Sequence, residues 1–189
     1  MPDTDGQLYI RFLNENDEEA FNCLFDRYNE GLVLFLYEIV GEREDAKELM
    51  MDTFAVLSSG RAHFKEIEGS SFKTWLFKIA KNIALKHLRK RRHVFFEVFD
   101  DKKLDTALTT EEPEAVILEE ERKKRLYRAL SELNADYRQV LYLKYFEGLN
   151  ADEISKIMRK TKKQVYRLTE HGKEAIKIKM EEIGDLWDM

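Results

Sequence analysis

Between residues 72 and 92 the chain interleaves aromatic and cationic side chains: Trp75 and Phe77 lie among Lys73, Lys78, Lys81, Lys86 and Arg89. Aromatic rings offer stacking surfaces to unpaired bases, and ammonium or guanidinium groups hold phosphates, so this mixture suits a nucleic-acid strand whose bases have come apart. Asn82, amid the lysines, carries both a donor and an acceptor for a base edge. The same spacing also fits aromatics turned into a core and an asparagine left to solvent, and both readings stay open on these residues alone. A second cationic set, Lys162, Lys163, Gln164, Tyr166 and Arg167, falls in the first turns of a predicted helix that follows a short helix and a tight turn. That order is a helix-turn-helix, in which the first helix braces the second and the second presents its N-terminal turns to the major groove. Its free amides also favour phosphate. An ordinary helical hairpin is the alternative, since the turn Arg159-Lys160-Thr161 lacks the glycine often found there.

Catalytic chemistry finds little support. His63, His87, His93 and His171 are scattered, and neither a glycine-rich phosphate loop nor an HExxH pair is present. The single cysteine, Cys23, excludes an intrachain disulfide and a cysteine-based zinc site. The expectation is therefore no enzyme, no cofactor, no metal and no small-molecule substrate. The longest apolar run, Leu32 to Tyr37, is six residues, far short of the ~20 needed to span a bilayer. The N-terminus has neither the basic flank nor the apolar stretch of a secretion signal. Together these lead to the expectation of a cytoplasmic protein that does not insert into a membrane.

The elements that must position these residues are helical. Two prolines and eight glycines in 189 residues leave little punctuation for an all-β fold. Asn16-Asp17-Glu18-Glu19 reads as a helix start, followed by Ala20, Phe21, Leu24, Phe25 and Tyr28 at helical spacing, with Gly31 as an interruption before a second apolar helix over 32–40. A further helix over about 42–57 places Asp45, Glu48 and Asp52 on one face and Leu49, Thr53 and Phe54 on another. Residues 58–70 read as a loop, and Ser71 caps a long helix to about Arg92. Helices are then predicted over 116–133, 136–146 and 151–158, and Thr161 to Gln164 has the pattern of a capping box opening the last one.

Charge is strongly segregated. The formal net charge of −5 conceals an acidic start, with 14 acidic against 4 basic residues over 1–60, and a basic block of 10 against 2 over 61–93. Residues 94–121 are acidic again, 10 against 2, and residues 155–179 are basic, 9 against 2. Two basic helices separated by an acidic stretch suggest two separate contacts with a polyanion. The acidic flanks repel phosphate and so oppose indiscriminate binding. The resulting expectation is an all-α protein of two helical domains joined by an acidic linker: a first domain over 1–93, a linker over 94–113 containing most of the aperiodic sequence, and a helix-turn-helix domain over 114–189.

Several of these segments together resemble a known family. DEEAFNCLFDRY, GEREDAKELMMDTF and SFKTWLFKIAKNIALKHLRKRR, in that order from Asp17 to Arg92, are similar to the successive helices of region two of bacterial RNA polymerase sigma factors of the extracytoplasmic-function group, in the sigma-70 family. LSELNADYRQVLYLKYFEGLNADEIS, from Leu130, resembles region four, which ends in a helix-turn-helix. The resemblance implies a promoter-specificity subunit with no catalysis of its own, which directs core polymerase to specific promoters and assists their opening. It implies that Asp45, Glu48, Leu49, Asp52 and Thr53 meet the clamp of the polymerase largest subunit. It implies that Arg61, His63, Phe64, Lys73, Trp75, Lys78, Lys81, Asn82, Lys86 and Arg89 engage the minus-ten element around a flipped base, whose extrusion costs a few kcal/mol that pocket contacts must offset. Lys162, Lys163, Gln164, Tyr166 and Arg167 would read the minus-thirty-five element as duplex, and an anti-sigma factor would restrain the protein.

Three positions depart from the family pattern: Asn134 stands where proline is usual, Arg159 where glycine is usual, and Leu168 where an arginine is common. The competing function is a stand-alone helix-turn-helix regulator that binds duplex DNA as a dimer, with residues 1–92 sensing or dimerising. The basic aromatic helix argues against it, because a sensing domain has no need of one.

Overall fold

The structure is a computed structural model and describes residues 3–65, 71–98, 126 and 128–185. Among the described residues every regular element is helical. The first module contains α1 (Asp5–Glu15), α2 (Glu18–Val40), α3 (Arg43–Ser58) and α4 (Phe72–Val98). The second contains α5 (Ala135–Leu141), which runs into a π-helical turn over Tyr142–Phe146, followed by α6 (Ala151–Met158) and α7 (Lys162–Asp185).

Helix α2 is the centre of the first module. Asp17 caps it by accepting the Ala20 amide at 3.0 Å, and Gly41 ends it at φ 76, donating its amide to Tyr37 O. Leu24, Tyr28, Leu32, Phe35 and Leu36 recur every three or four residues and are buried along one stripe. Helix α3 adds Ala46, Leu49, Met50, Phe54 and Leu57 to that core, and α4 adds Phe72, Leu76, Phe77, Ala80 and Ala84.

Three features of the chain differ from the reading by periodicity. Helix α1 has no counterpart in it, although Thr4 and Gln7 form a capping box and Tyr9 is fully buried. Gly31 does not interrupt: α2 is continuous through it. A Cβ at Gly31 would lie 2.7 Å from Glu147 Oε1, so the glycine marks where the second module comes against the first. The backbone of α4 continues to Val98, past the boundary expected at residue 93, and the rest of the expected linker lies outside the described residues.

The departures at Asn134, Arg159 and Leu168 each have a local explanation. Asn134 caps α5 by accepting the Tyr137 amide at 3.0 Å. Arg159 ends α6 at φ 55, a left-handed conformation in which glycine is the usual residue. Leu168 is half-buried against the core and so carries packing rather than a charge for DNA.

Candidate nucleic-acid interface

The loop after α3 and the start of α4 form one surface. Arg61, His63 and Lys65 are exposed, whereas Ala62 and Phe64 turn inward. Phe64 packs on Phe72 and Trp75, with ring centroids 5.4 Å apart in both cases. Trp75 in turn lies 5.3 Å from the ring of Tyr9. Phe64 and Trp75 are thus half-buried members of an aromatic cluster that forms a floor for the loop. Phe77, one of the candidate stacking rings, is fully buried in the core, because it packs on Phe35 at 5.1 Å.

Beyond the loop, Lys78, Asn82, Lys86 and Arg89 follow each other at spacings of four, four and three, so they share one exposed face of α4. Lys81 is one exception among the predicted phosphate ligands. It lies a quarter-turn away and is only 8% exposed, with its ammonium donating to Gln139 Oε1 at 2.9 Å. Burial lowers its pKa from 10.5 to about 8, opposed by the nearby Asp136 carboxylate and assisted by the charges of Lys160 and Arg159.

Lys81 is covered because the modules pack directly on each other, which corrects its expected place among the exposed phosphate ligands. Helix α6 lies on α4, and α5 lies on α2. Lys73 donates to Glu147 O at 2.8 Å and pairs with Glu147 Oε2 at 2.6 Å. Tyr142 donates from its hydroxyl to Gly31 O at 3.0 Å and to Glu147 Oε1 at 2.7 Å, and Arg138 pairs with Glu38 at 2.6 Å. Arg159 Nη2 donates to Asn82 Oδ1 at 2.7 Å.

Glu153 links two helix starts. Its Oε2 accepts the Asn150 amide at 3.0 Å, completing the capping box of α6. Its Oε1 accepts the hydroxyls of Ser71 at 2.8 Å and Thr74 at 3.0 Å, at the start of α4. One carboxylate therefore satisfies donors in both modules, which is the arrangement that makes a partly buried charge tolerable. In this arrangement Lys73, Lys81 and Asn82 are held by protein groups, while Arg61, His63, Lys78, Lys86 and Arg89 are exposed.

The acidic surface of α3 is partly as predicted. Glu48 and Asp52 are exposed. Asp45 pairs with Arg91 at 3.0 Å and His87 at 3.3 Å, both on α4. Leu49 and Thr53, expected to face a partner, are core residues at 2% and 0% exposure, and the Thr53 hydroxyl donates to Leu49 O at 2.7 Å. Their place in the apolar stripe of α3 makes them packing beneath the acidic face.

Helices α6 and α7 form the expected helix-turn-helix. Lys162, Lys163, Gln164, Tyr166 and Arg167 are all exposed in the first turns of α7. Lys162 pairs with Asp152 of α6 at 2.5 Å. Gln164 Oε1 accepts the Thr161 amide at 2.8 Å, so its carbonyl serves the helix start and its amide NH2 is the group left to meet a base.

These features define a two-module helical DNA-binding protein, and comparison with known proteins places it in a family. Residues 24–94 match the family described as sigma-70 region 2, and residues 123–176 match sigma-70 region 4. The chain is 30% identical over 162 residues to the RNA polymerase sigma-H factor of Pseudomonas aeruginosa, covering 82% of each chain. It is 27% identical over 169 residues to the extracytoplasmic-function RNA polymerase sigma factor SigX of Bacillus subtilis, covering 87% of this chain and 85% of that one. Its fold is similar to the sigma factor RpoE of Bartonella quintana solved with the anti-sigma factor NepR, at a TM-score of 0.69 and 18% identity over 86% of this chain and 98% of that one. It is also similar to CnrH solved with the cytosolic domain of CnrY, at a TM-score of 0.63 and 18% identity over 95% of this chain and 98% of that one. The chain belongs to the extracytoplasmic-function group of the sigma-70 family. It is a sigma factor, a DNA-binding subunit of transcription initiation. A stand-alone dimeric regulator is the reading that this result disfavours.

Proposed function

We propose that the clamp of the polymerase largest subunit docks on the acidic face of α3 through Asp45, Glu48 and Asp52, with Leu49 and Thr53 supporting that face from within. The loop residues Arg61 and His63, above the aromatic floor of Phe64 and Trp75, receive an unstacked base of the minus-ten element. Lys78, Asn82, Lys86 and Arg89 carry the strand's backbone along α4. Lys163, Tyr166, Arg167 and the amide of Gln164 read the minus-thirty-five element, and Lys162 holds a phosphate once it leaves Asp152. The chain acts in the cytoplasm, makes no bonds itself, and has an anti-sigma factor as a partner, as the protein solved with NepR does.

The observation that carries this reading is the exposed row Lys78, Asn82, Lys86 and Arg89 on one face of α4. The contact of Arg159 with Asn82, in the middle of that row, supplies its one condition: the modules part before the full row meets DNA. Run-off transcription on fragmented genomic DNA, with purified core polymerase and with or without this chain, is the test. The chain is expected to create discrete new start sites. Identical transcripts with and without it would refute the reading.

A further inference from the structure

Helix α1 lies outside the segment that matches sigma-70 region 2, which begins at residue 24. Yet α1 touches the loop at two points. The Tyr9 ring is fully buried among Phe12, Phe72 and Trp75, and its hydroxyl reaches Ala62 O at 2.7 Å and Leu57 O at 3.2 Å. One proton is thus shared between the last turn of α3 and the middle of the loop. Three residues earlier, Gly6 lies directly against Phe64, so that a Cβ there would be 2.6 Å from Phe64 Cε1.

The loop alternates in and out as an extended chain does. Ala62 and Phe64 point inward, and Arg61, His63 and Lys65 point to solvent. Tyr9 holds the carbonyl of the first inward residue and Gly6 makes room for the ring of the second. A shift of either inward residue re-aims the outward side chains between and beside them. A partly buried carbonyl accepting a phenol is also a directional restraint, which apolar packing alone does not provide.

We infer that Tyr9 and Gly6 of α1 are positioning residues for base selection, setting the pose in which the 61–65 loop presents Arg61 and His63 to an unstacked base. The inference rests on the proposed role of that loop in receiving the base. It assigns α1 a part in specificity without any contact between α1 and DNA.

The test uses holoenzyme assembled from core polymerase and the full chain, bound to a pool of fork-junction DNAs whose minus-ten positions are randomised as single strand. Bound molecules are sequenced, and the base preference is read position by position. Wild type is expected to select one base strongly at one position. Tyr9→Phe keeps the buried ring and removes the hydroxyl, and Gly6→Ala keeps the hydroxyl bonds and displaces Phe64. Each is expected to relax preference at that one position by about tenfold, with the other positions and core-polymerase affinity unchanged. His63→Ala is expected to relax the same position. A merely structural defect would weaken all positions together, and so overturns the inference. Unchanged preference in both α1 variants, with relaxation in His63→Ala, overturns it too while leaving the loop's role intact. Unchanged preference in His63→Ala as well removes that role, and the inference falls with it.

Discussion

Arg159 reaches across the module boundary from a left-handed backbone, φ 55, and donates to Asn82 at 2.7 Å. That conformation costs a residue with a Cβ roughly 1–2 kcal/mol relative to a relaxed helical one, and glycine escapes most of the cost. Asn82 lies mid-row between Lys78 and Lys86, so the guanidinium occupies the centre of the surface proposed for the separated strand. The strained turn of the second module and the covering of the first are therefore properties of the same residue.

Glu147 is a main hold of the second module on α4, since its carboxylate meets Lys73 and Tyr142 and its backbone carbonyl meets Lys73 again. Glu147→Gln removes the charge and keeps one side-chain oxygen for Tyr142 and the backbone carbonyl for Lys73. Charge-assisted hydrogen bonds contribute about 1.5–3 kcal/mol against roughly 1 for neutral ones, so the modules should separate more readily. Binding of the free chain to a fork DNA is expected to tighten by about 3–10-fold. A fluorescence-anisotropy titration reads this, and equal affinity for both proteins would count against the covering of α4.

Gly31 offers a second route to the same state. Alanine there raises helix propensity in α2 by about 1 kcal/mol and places a methyl 2.7 Å from Glu147 Oε1. Gly31→Ala is expected to stabilise the first module while loosening the second from it. Energy transfer between dyes on Cys23 and on a cysteine introduced at His171, both exposed, should fall. An undiminished signal together with unchanged melting would contradict both halves of this expectation.

Lys81 makes closure depend on pH. Its pKa is about 8 where Gln139 covers it and returns toward 10.5 when the modules part. The parted form therefore holds more protons between those values, and closure strengthens as pH rises through that window. Below about 8, Lys81 is charged in both forms and adds no slope. The same dye pair should report rising transfer over that alkaline range, and Lys81→Met should flatten the curve. A slope that survives in Lys81→Met assigns the effect to another group.

Asp45→Lys with Glu48→Lys reverses the acidic face of α3 without touching its buried stripe. Asp45 loses Arg91 and His87 as partners, but these pairs are partly exposed and contribute at most about 1 kcal/mol each. The variant should remain folded by circular dichroism and lose most of its capture by core polymerase. Capture at wild-type level would exclude this face as the docking surface.

The helices that position the site were legible in the sequence wherever an apolar stripe ran with a cap at its start. Asp17, Ser71, Asn150 and Thr161 each mark such a start, and the order of the segments carried the family likeness. Helix α1 escaped because Leu8, Tyr9, Ile10, Phe12 and Leu13 crowd its faces, with Ile10 left exposed, so no clean stripe stands out. Its one clear signal was Thr4 followed three residues later by Gln7. Gly31 read as a break because local propensity records a glycine's cost and not the neighbour that requires it. The packing of the modules had no sequence signal at all: a lysine bound for Gln139 and one bound for phosphate look alike in a charge pattern.

Helix α4 thus has a competing partner at Lys73, Lys81 and Asn82 that is covalently attached. An attached competitor acts at a fixed local concentration that dilution of the protein does not lower. Stray duplex or single strand meets that rival at every encounter, and only a partner that binds the parted form better than the closed one tips the contest. The second module is in this sense a built-in decoy, with Glu147 set against Lys73 and Gln139 against Lys81.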